Sequence, residues 1–205
     1  FPYTTLFRST MVHALRGVSL QILRGEFVVL AGSSGSGKTT LLNIIAGIIP
    51  HDRGDVLVSG QRVQKVRRSV GYAFQQATLL PWRTIQSNVE LGLELRGVGK
   101  NQRRDRARDL LSQVGLSQFG GSYPHQVSGG MAKRAEIARV LAIDPKLLLM
   151  DEPFGALDAQ TKLHMHDSLL KLLQDFKKTV IFITHDLDEA VVLSDVVITM
   201  SARPG

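Results

Sequence analysis

Gly32-Ser33-Ser34-Gly35-Ser36-Gly37-Lys38-Thr39-Thr40 fits the phosphate-loop pattern G-x-x-x-x-G-K-[ST] at every fixed position. The apolar run Glu26–Ala31 precedes it, and the helical pattern Leu41–Ala46 follows. Strand, glycine loop, helix is the context in which the pattern carries meaning. Glycines let the backbone curl so that several N–H groups face one anion. A helix starting near Lys38 adds the positive end of its dipole. Lys38 supplies a full charge for β- and γ-phosphates, and the Thr39 hydroxyl is a ligand for Mg2+.

Composition sets the frame around that loop. The chain has 205 residues, 43% of them hydrophobic and 21% charged, which is ordinary for one globular domain with an inserted lobe. Much of the net charge of +7 comes from Arg96, Lys100, Arg103, Arg104, Arg106 and Arg108 on one expected helix, read as a solvated face. No nucleic-acid partner is inferred from it. The absence of cysteine excludes disulfides and thiolate metal sites. No apolar run reaches the length of a membrane span. Phe1-Pro2-Tyr3-Thr4-Thr5-Leu6-Phe7-Arg8-Ser9 reads as a translated sequencing adapter, so residues 1–10 are expected to be a non-native leader and 11–205 the domain. The end at Ser201–Gly205 reads as cut.

Along the chain, Val18–Leu23 alternates apolar and polar and predicts a half-buried strand. Gly54–Gly60 and Val70–Phe74 predict two more, the second running into Gln75-Gln76. From Thr84 to about Gly120 the pattern is helical and more polar, an insertion between two parts of a sheet domain. Ser128-Gly129-Gly130 then opens another helix, with Ser128 as N-cap and Met131, Ala135, Ala138 and Ala142 along one face. Its mouth is a second potential anion site. Lys133 and Glu136 lie three apart on another face.

Lys146–Met150 is a continuous apolar run suited to a central parallel strand, and it ends in Asp151-Glu152-Pro153. Acids at the carboxyl end of such a strand stand where open α/β sheets bind ligands. Asp151 is placed to hold Mg2+, and Glu152 to orient or deprotonate an attacking water. Gly155-Ala156-Leu157-Asp158 leads into a helix to about Phe176. Val180–Thr184 is another apolar strand with His185 at its carboxyl end, and Asp195–Met200 a last one. His164 and His166, two apart on the expected helix, are read as surface residues.

In order and spacing, Gly32–Thr39, Gln75, Ser128-Gly129-Gly130, Asp151-Glu152, Asp158 and His185 resemble Walker A, Q-loop, signature, Walker B, D-loop and H-loop of the nucleotide-binding subunits of ATP-binding-cassette transporters. Leu79-Leu80-Pro81-Trp82, Tyr123-Pro124-His125 and His185–Ala190 look like the importer ATPases for nitrate, sulfonate and taurine. The chain departs from the pattern at Val127, where Leu is usual. The adenine-stacking aromatic of the family would fall in the suspected leader; Tyr3 and Phe7 are not assigned to it.

The resemblance implies an α/β fold: a P-loop NTPase (RecA-like) core, an antiparallel β subdomain, and a helical subdomain inserted at about 84–143. It implies an ATPase using ATP and Mg2+, with Glu152, His185, Gln75 and Lys38 in catalysis. ATP would be held by Gly32, Ser33, Ser34, Gly35, Ser36, Gly37, Lys38, Thr39 and Thr40. Ser128, Gly129 and Gly130 would act in trans, with Asp158 joining the two sites and Thr39, Gln75 and Asp151 on Mg2+. The implied partners are a second copy, membrane permease subunits and, indirectly, an extracytoplasmic substrate-binding protein. The implied location is peripheral, on the cytoplasmic face of the plasma membrane, with a permease helix docking beside Gln75, Pro81 and Trp82. A soluble cassette protein or an exporter-type ATPase shares the motifs and remains open.

Overall fold

A computed structural model describes residues 14–155, 162, 166, 169–171, 173 and 178–201. Its centre is a parallel sheet built from β1 (Phe27–Gly32), β4 (Val70–Ala73), β5 (Leu147–Asp151), β6 (Thr179–Thr184) and β7 (Val196–Met200), in the order β4-β5-β6-β1-β7. β1 lies between β6 and β7, with Ala31 level with Thr184 and Thr199. β5 places Asp151 opposite Ile183 of β6.

Alternate residues of the central strands feed two cores. Leu30, Leu147, Leu149, Ile181 and Ile183 pack with Leu41, Leu42 and Ile45 of α1 (Lys38–Ala46). Val29, Leu148, Met150, Val180 and Phe182 face the opposite way. They join Ala135, Ala138 and Leu141 of α4 (Gly129–Ala142) and the buried Leu169 and Leu173. Burial on both faces is why these strands read as unbroken apolar runs.

Between β4 and β5 lie α2 (Ile85–Glu94), α3 (Lys100–Gln113), short 3-10 turns at Ser117–Phe119 and Pro124–Gln126, and α4. These helices occupy the chain between the fourth and fifth strands. Of the basic stretch, Arg104 and Arg108 are exposed, while Arg96 donates to Ile143 O and Arg68 O (both 2.6 Å) and Arg103 pairs with Glu90 at 3.1 Å.

Three expectations change. Val18–Leu23 forms no strand: Val18, Leu20 and Leu23 are exposed and Ile22 alone reaches the core. Alternation records which side is wetted; it cannot supply a ladder partner. The strand expected over 54–60 shrinks to β2 (Leu57–Val58), paired antiparallel with β3 (Gln61–Arg62). Ser59 and Gly60 both carry positive φ (52° and 73°), the requirement of a tight two-residue hairpin turn. His166 is buried, 6% exposed, with its ring 5.3 Å from Phe154. The described residues 162, 166, 169–171 and 173 are helical, and 166, 169 and 173 form one i, i+3, i+7 stripe turned to the core. His164 lies outside the described residues.

Candidate active site

The carboxyl edge of the sheet gathers the chemistry. β1 ends at Gly32 and the loop turns into α1. Gly37 occupies the N-cap position at φ 99° with no side-chain cap, so the first N–H groups of α1 are left for a ligand. A Cβ at Gly37 would lie 2.7 Å from Ala14 O, so the upstream segment itself forbids a side chain there. Lys38 is buried, and its Nζ donates to Gly32 O (2.7 Å), Ser33 O (2.8 Å) and Ser36 Oγ (3.2 Å). All three ammonium donors have partners, which is what makes burial of that charge tolerable.

β5 delivers Asp151, buried, to the end of the sheet beside the phosphate loop. Burial pushes the Asp151 carboxyl up, and the Glu152 charge adds to that; Thr39, Lys38 and Lys133 pull it back without cancelling the rise. Glu152 follows with φ 41°, a left-handed conformation rare for a residue with a side chain. Its N–H is tied to Ile183 O at 3.0 Å, so the turn is held against β6. Beneath it Phe154 is fully buried, 5.7 Å from the Phe182 ring.

Glu152 Oε2 is the meeting point. It accepts a hydrogen bond from Gln75 Nε2 at 3.1 Å, and His185 Nδ1 lies 3.4 Å away. Gln75 comes from the segment after β4, and His185 from the end of β6. The two sit 77 and 33 residues from Glu152 in the chain, yet the sheet edge brings all three to one oxygen.

The structure assigns supports that the sequence reading missed. Thr184 Oγ1 donates to the buried Glu189 and accepts from Asp186 N at 3.0 Å. Asp186 caps α5 (Leu187–Leu193) by accepting from Asp188 N (3.0 Å) and Glu189 N (3.4 Å). Lys162 bridges Asp186 (3.2 Å) and Glu189 (3.4 Å). The turn that carries His185 is thus pinned on both sides. The sequence signal was there: Asp186 followed by two acids is an N-terminus signature.

Among the described residues, no side-chain hydrogen bond or ion pair joins Ser128–Gly130 to Gln75, Glu152 or His185. Ser128 and Gly129 are exposed, and Ser128 Oγ accepts from Met131 N at 3.2 Å, the cap expected of it. Trp82 is 72% exposed, which excludes core packing as its role. The turn carrying it is fixed by buried Asn88, which accepts from Leu80 N (2.7 Å) and donates to the Leu80, Arg83 and Thr84 carbonyls. Asp158 and the suspected leader lie outside the described residues, and no described helix is long and apolar enough to cross a membrane.

The ABC transporter family model matches residues 15–155. This chain belongs to the ABC transporter family. Over 97% of its length the cassette is 50% identical to an ABC transporter ATP-binding protein of Methanocaldococcus jannaschii, covering 74% of that protein. It is 48% identical to a nitrate import ATP-binding protein of Synechocystis over 95% of its length, covering 73% of the relative. The taurine import ATP-binding protein of Rhizobium johnstonii is 47% identical over 95%, covered to 74%. Among solved structures, an ATP-binding cassette captured as a dimer in a post-hydrolysis state with ADP and Pi superposes with a TM-score of 0.85 at 34% identity, covering 95% of this cassette and 90% of that one. The family and the P-loop NTPase-like α/β fold expected from the motifs are borne out. The cassette is an ABC ATPase.

Proposed function

We propose that this cassette is the ATP-hydrolysing subunit of an importer for a small anion or zwitterion of the nitrate, sulfonate or taurine kind. The names and close similarity of the nitrate and taurine import relatives support that class. The observation that carries the enzymatic assignment is the convergence of the Gln75 amide and the His185 ring on one Glu152 oxygen, at the sheet edge that also bears the phosphate loop. In this reading the N–H groups of Gly32–Thr40 and the Lys38 ammonium hold the β- and γ-phosphates. Glu152 takes a proton from the attacking water, and His185 steadies the γ-phosphate and that water.

The donor set at the loop fits Mg2+: the Thr39 hydroxyl, the Asp151 carboxylate and the Gln75 amide oxygen are all hard oxygens. Mg2+, when bound, neutralises charge on the phosphate oxygens. The Thr39 hydroxyl is near enough to Asp151 to help hold its carboxyl down, which supports a shared ligand point.

Ser128, Gly129 and Gly130 serve the ATP of a second copy. The exposure of Ser128 and Gly129 at an open helix mouth, and the dimeric relatives of this fold, support a homodimer. Asp158 is assigned to the junction of the two sites. Residues 11–205 are taken as the domain and 84–143 as its helical subdomain. Membrane permease subunits are the further partners, met at the groove beside Gln75, Pro81 and Trp82, with an extracytoplasmic binding protein acting indirectly. The location is peripheral, on the cytoplasmic face of the membrane.

Glu152→Gln is the deciding experiment. It is expected to keep ATP binding and abolish phosphate release; unchanged turnover would remove Glu152 from the reaction. Neighbouring permease and binding-protein genes are expected beside this one, and a second cassette fused in frame would favour a soluble role.

A further inference from the structure

Three side chains of α4, spaced i, i+3 and i+6, hold the segment that carries Gln75. Lys133 Nζ donates to Phe74 O, lies 3.5 Å from Gln75 O and pairs with Glu136 Oε2 at 2.7 Å. Glu136 Oε1 accepts both from Thr78 N (3.1 Å) and from Thr78 Oγ1 (2.8 Å). Arg139 donates to Thr78 O (2.8 Å) and to Thr78 Oγ1 (2.6 Å). The Lys133 and Glu136 side chains are 4% and 0% exposed.

Stability alone does not explain this pair. Two charges taken out of water gain little over apolar side chains of similar volume, which often pack as well or better. What apolar side chains cannot do is hold carbonyl oxygens and an N–H of a segment that is neither helix nor strand. Phe74, Gln75 and Thr78 present such groups, and Gln75 makes the contact to Glu152. α4 begins at Gly129, so the same rigid helix bears Ser128–Gly130 at its mouth and this clamp in its first three turns. Beyond Thr78 the segment passes to Leu80, held by Asn88, and to exposed Trp82.

We propose that Lys133, Glu136 and Arg139 are positioning residues that lock residues 74–78 to α4, so that Gln75 and the Ser128–Gly130 helix mouth move as one body. This rests on Gln75 serving the ATP site. Motion at the exposed turn around Trp82 then reaches Gln75 and the helix mouth together, and neither can reach its working position without the other.

The test uses full-length protein carrying Lys133→Met with Glu136→Leu, which removes both charges and keeps the volume. The double variant is expected to melt within a few degrees of the wild type, to show about 10-fold lower kcat with KM for MgATP changed less than 3-fold, and to exchange the Thr78 amide faster while α4 stays protected. Thr78→Val leaves the ion pair intact and removes only the hydroxyl; a 2- to 5-fold loss of kcat is expected. Adding Gln75→Ala to the double variant is expected to cost nothing further, because both changes act through one group. Wild-type kcat in the double variant, or losses that multiply with Gln75→Ala, would overturn the proposal. If Gln75→Ala alone leaves kcat unchanged, the assignment of Gln75 fails, while the Thr78 exchange rate still reports the clamp.

Discussion

Replacing Glu152 by glycine should make the protein more stable than replacing it by alanine, while both substitutions stop turnover. Glu152 sits at φ 41°. A residue with a Cβ pays roughly 1–2 kcal/mol in the left-handed region, and alanine pays it as glutamate does. Both substitutions lose the same contacts to Gln75 and His185, so those losses cancel in the comparison. Glycine removes the strain but loses about 0.5–1 kcal/mol more backbone entropy on folding. The difference left over is about 1 kcal/mol in favour of Glu152→Gly. For a chain of this size that is a melting-temperature difference of about 2–4 °C. Thermal melts of the two variants without nucleotide measure it, and a phosphate-release assay should show turnover at least 100-fold down in each. Glu152→Ala melting at or above Glu152→Gly would refute the reasoning, because the turn would then be unstrained. The reverse result says that the site holds its carboxylate against a backbone preference for glycine, with the cost carried by the packed Phe154 and the Glu152 N–H bond to Ile183 O.

Gly37→Ala should destabilise the fold by about 2 kcal/mol and weaken ATP binding at least 10-fold, since its Cβ would stand 2.7 Å from Ala14 O at φ 99°; wild-type affinity in an equilibrium titration would refute it. Burial pushes the Asp186 carboxyl up, but the Lys162 hydrogen bond and the Glu189 and Asp188 N–H groups outweigh it, holding Asp186 below the usual range. A lowered folded pKa gives stability that is present above the unfolded value of about 3.9 and lost as pH falls through the folded one. Asp186→Asn keeps the cap but cannot ionise, so its melting temperature should fall less steeply below about pH 4 than the wild type's; parallel acid limbs would count against this.

What the sequence made legible was of one kind. Gly32–Thr40, Asp151-Glu152 and His185 lie at chain positions where an apolar strand stops, and a strand buried on both faces announces itself as a continuous run. The parallel sheet and its active edge follow from those runs. Pairing was less legible. Val18–Leu23 has the alternation of a strand and none of the pairing, because a period of two states which side is wetted and nothing about a neighbour. Least legible were the buried polar groups. Lys133 and Glu136 are spaced like any solvated ion pair on a helix surface, and their burial depends on a segment about 60 residues upstream. His166, two from His164 on the expected helix, reads as surface, and only the helix face shared with Leu169 and Leu173 places it inside.

Glu90 and His166 aside, the buried polar residues gather at the loops of the site. Ser36 and Lys38 stand inside the phosphate loop, Lys133 and Glu136 behind Gln75, Thr184 and Glu189 behind His185, and Asn88 behind the Trp82 turn. Each backs a stretch of chain that has left the sheet and lost its ladder. Strands are positioned by apolar packing and by one another, but a loop beyond the strand end exposes backbone groups that apolar contacts cannot satisfy. A buried lysine, glutamate or asparagine can meet several such groups at once. The site is therefore assembled twice over: the apolar sheet fixes where its loops begin, and a few buried polar residues fix where their functional side chains point.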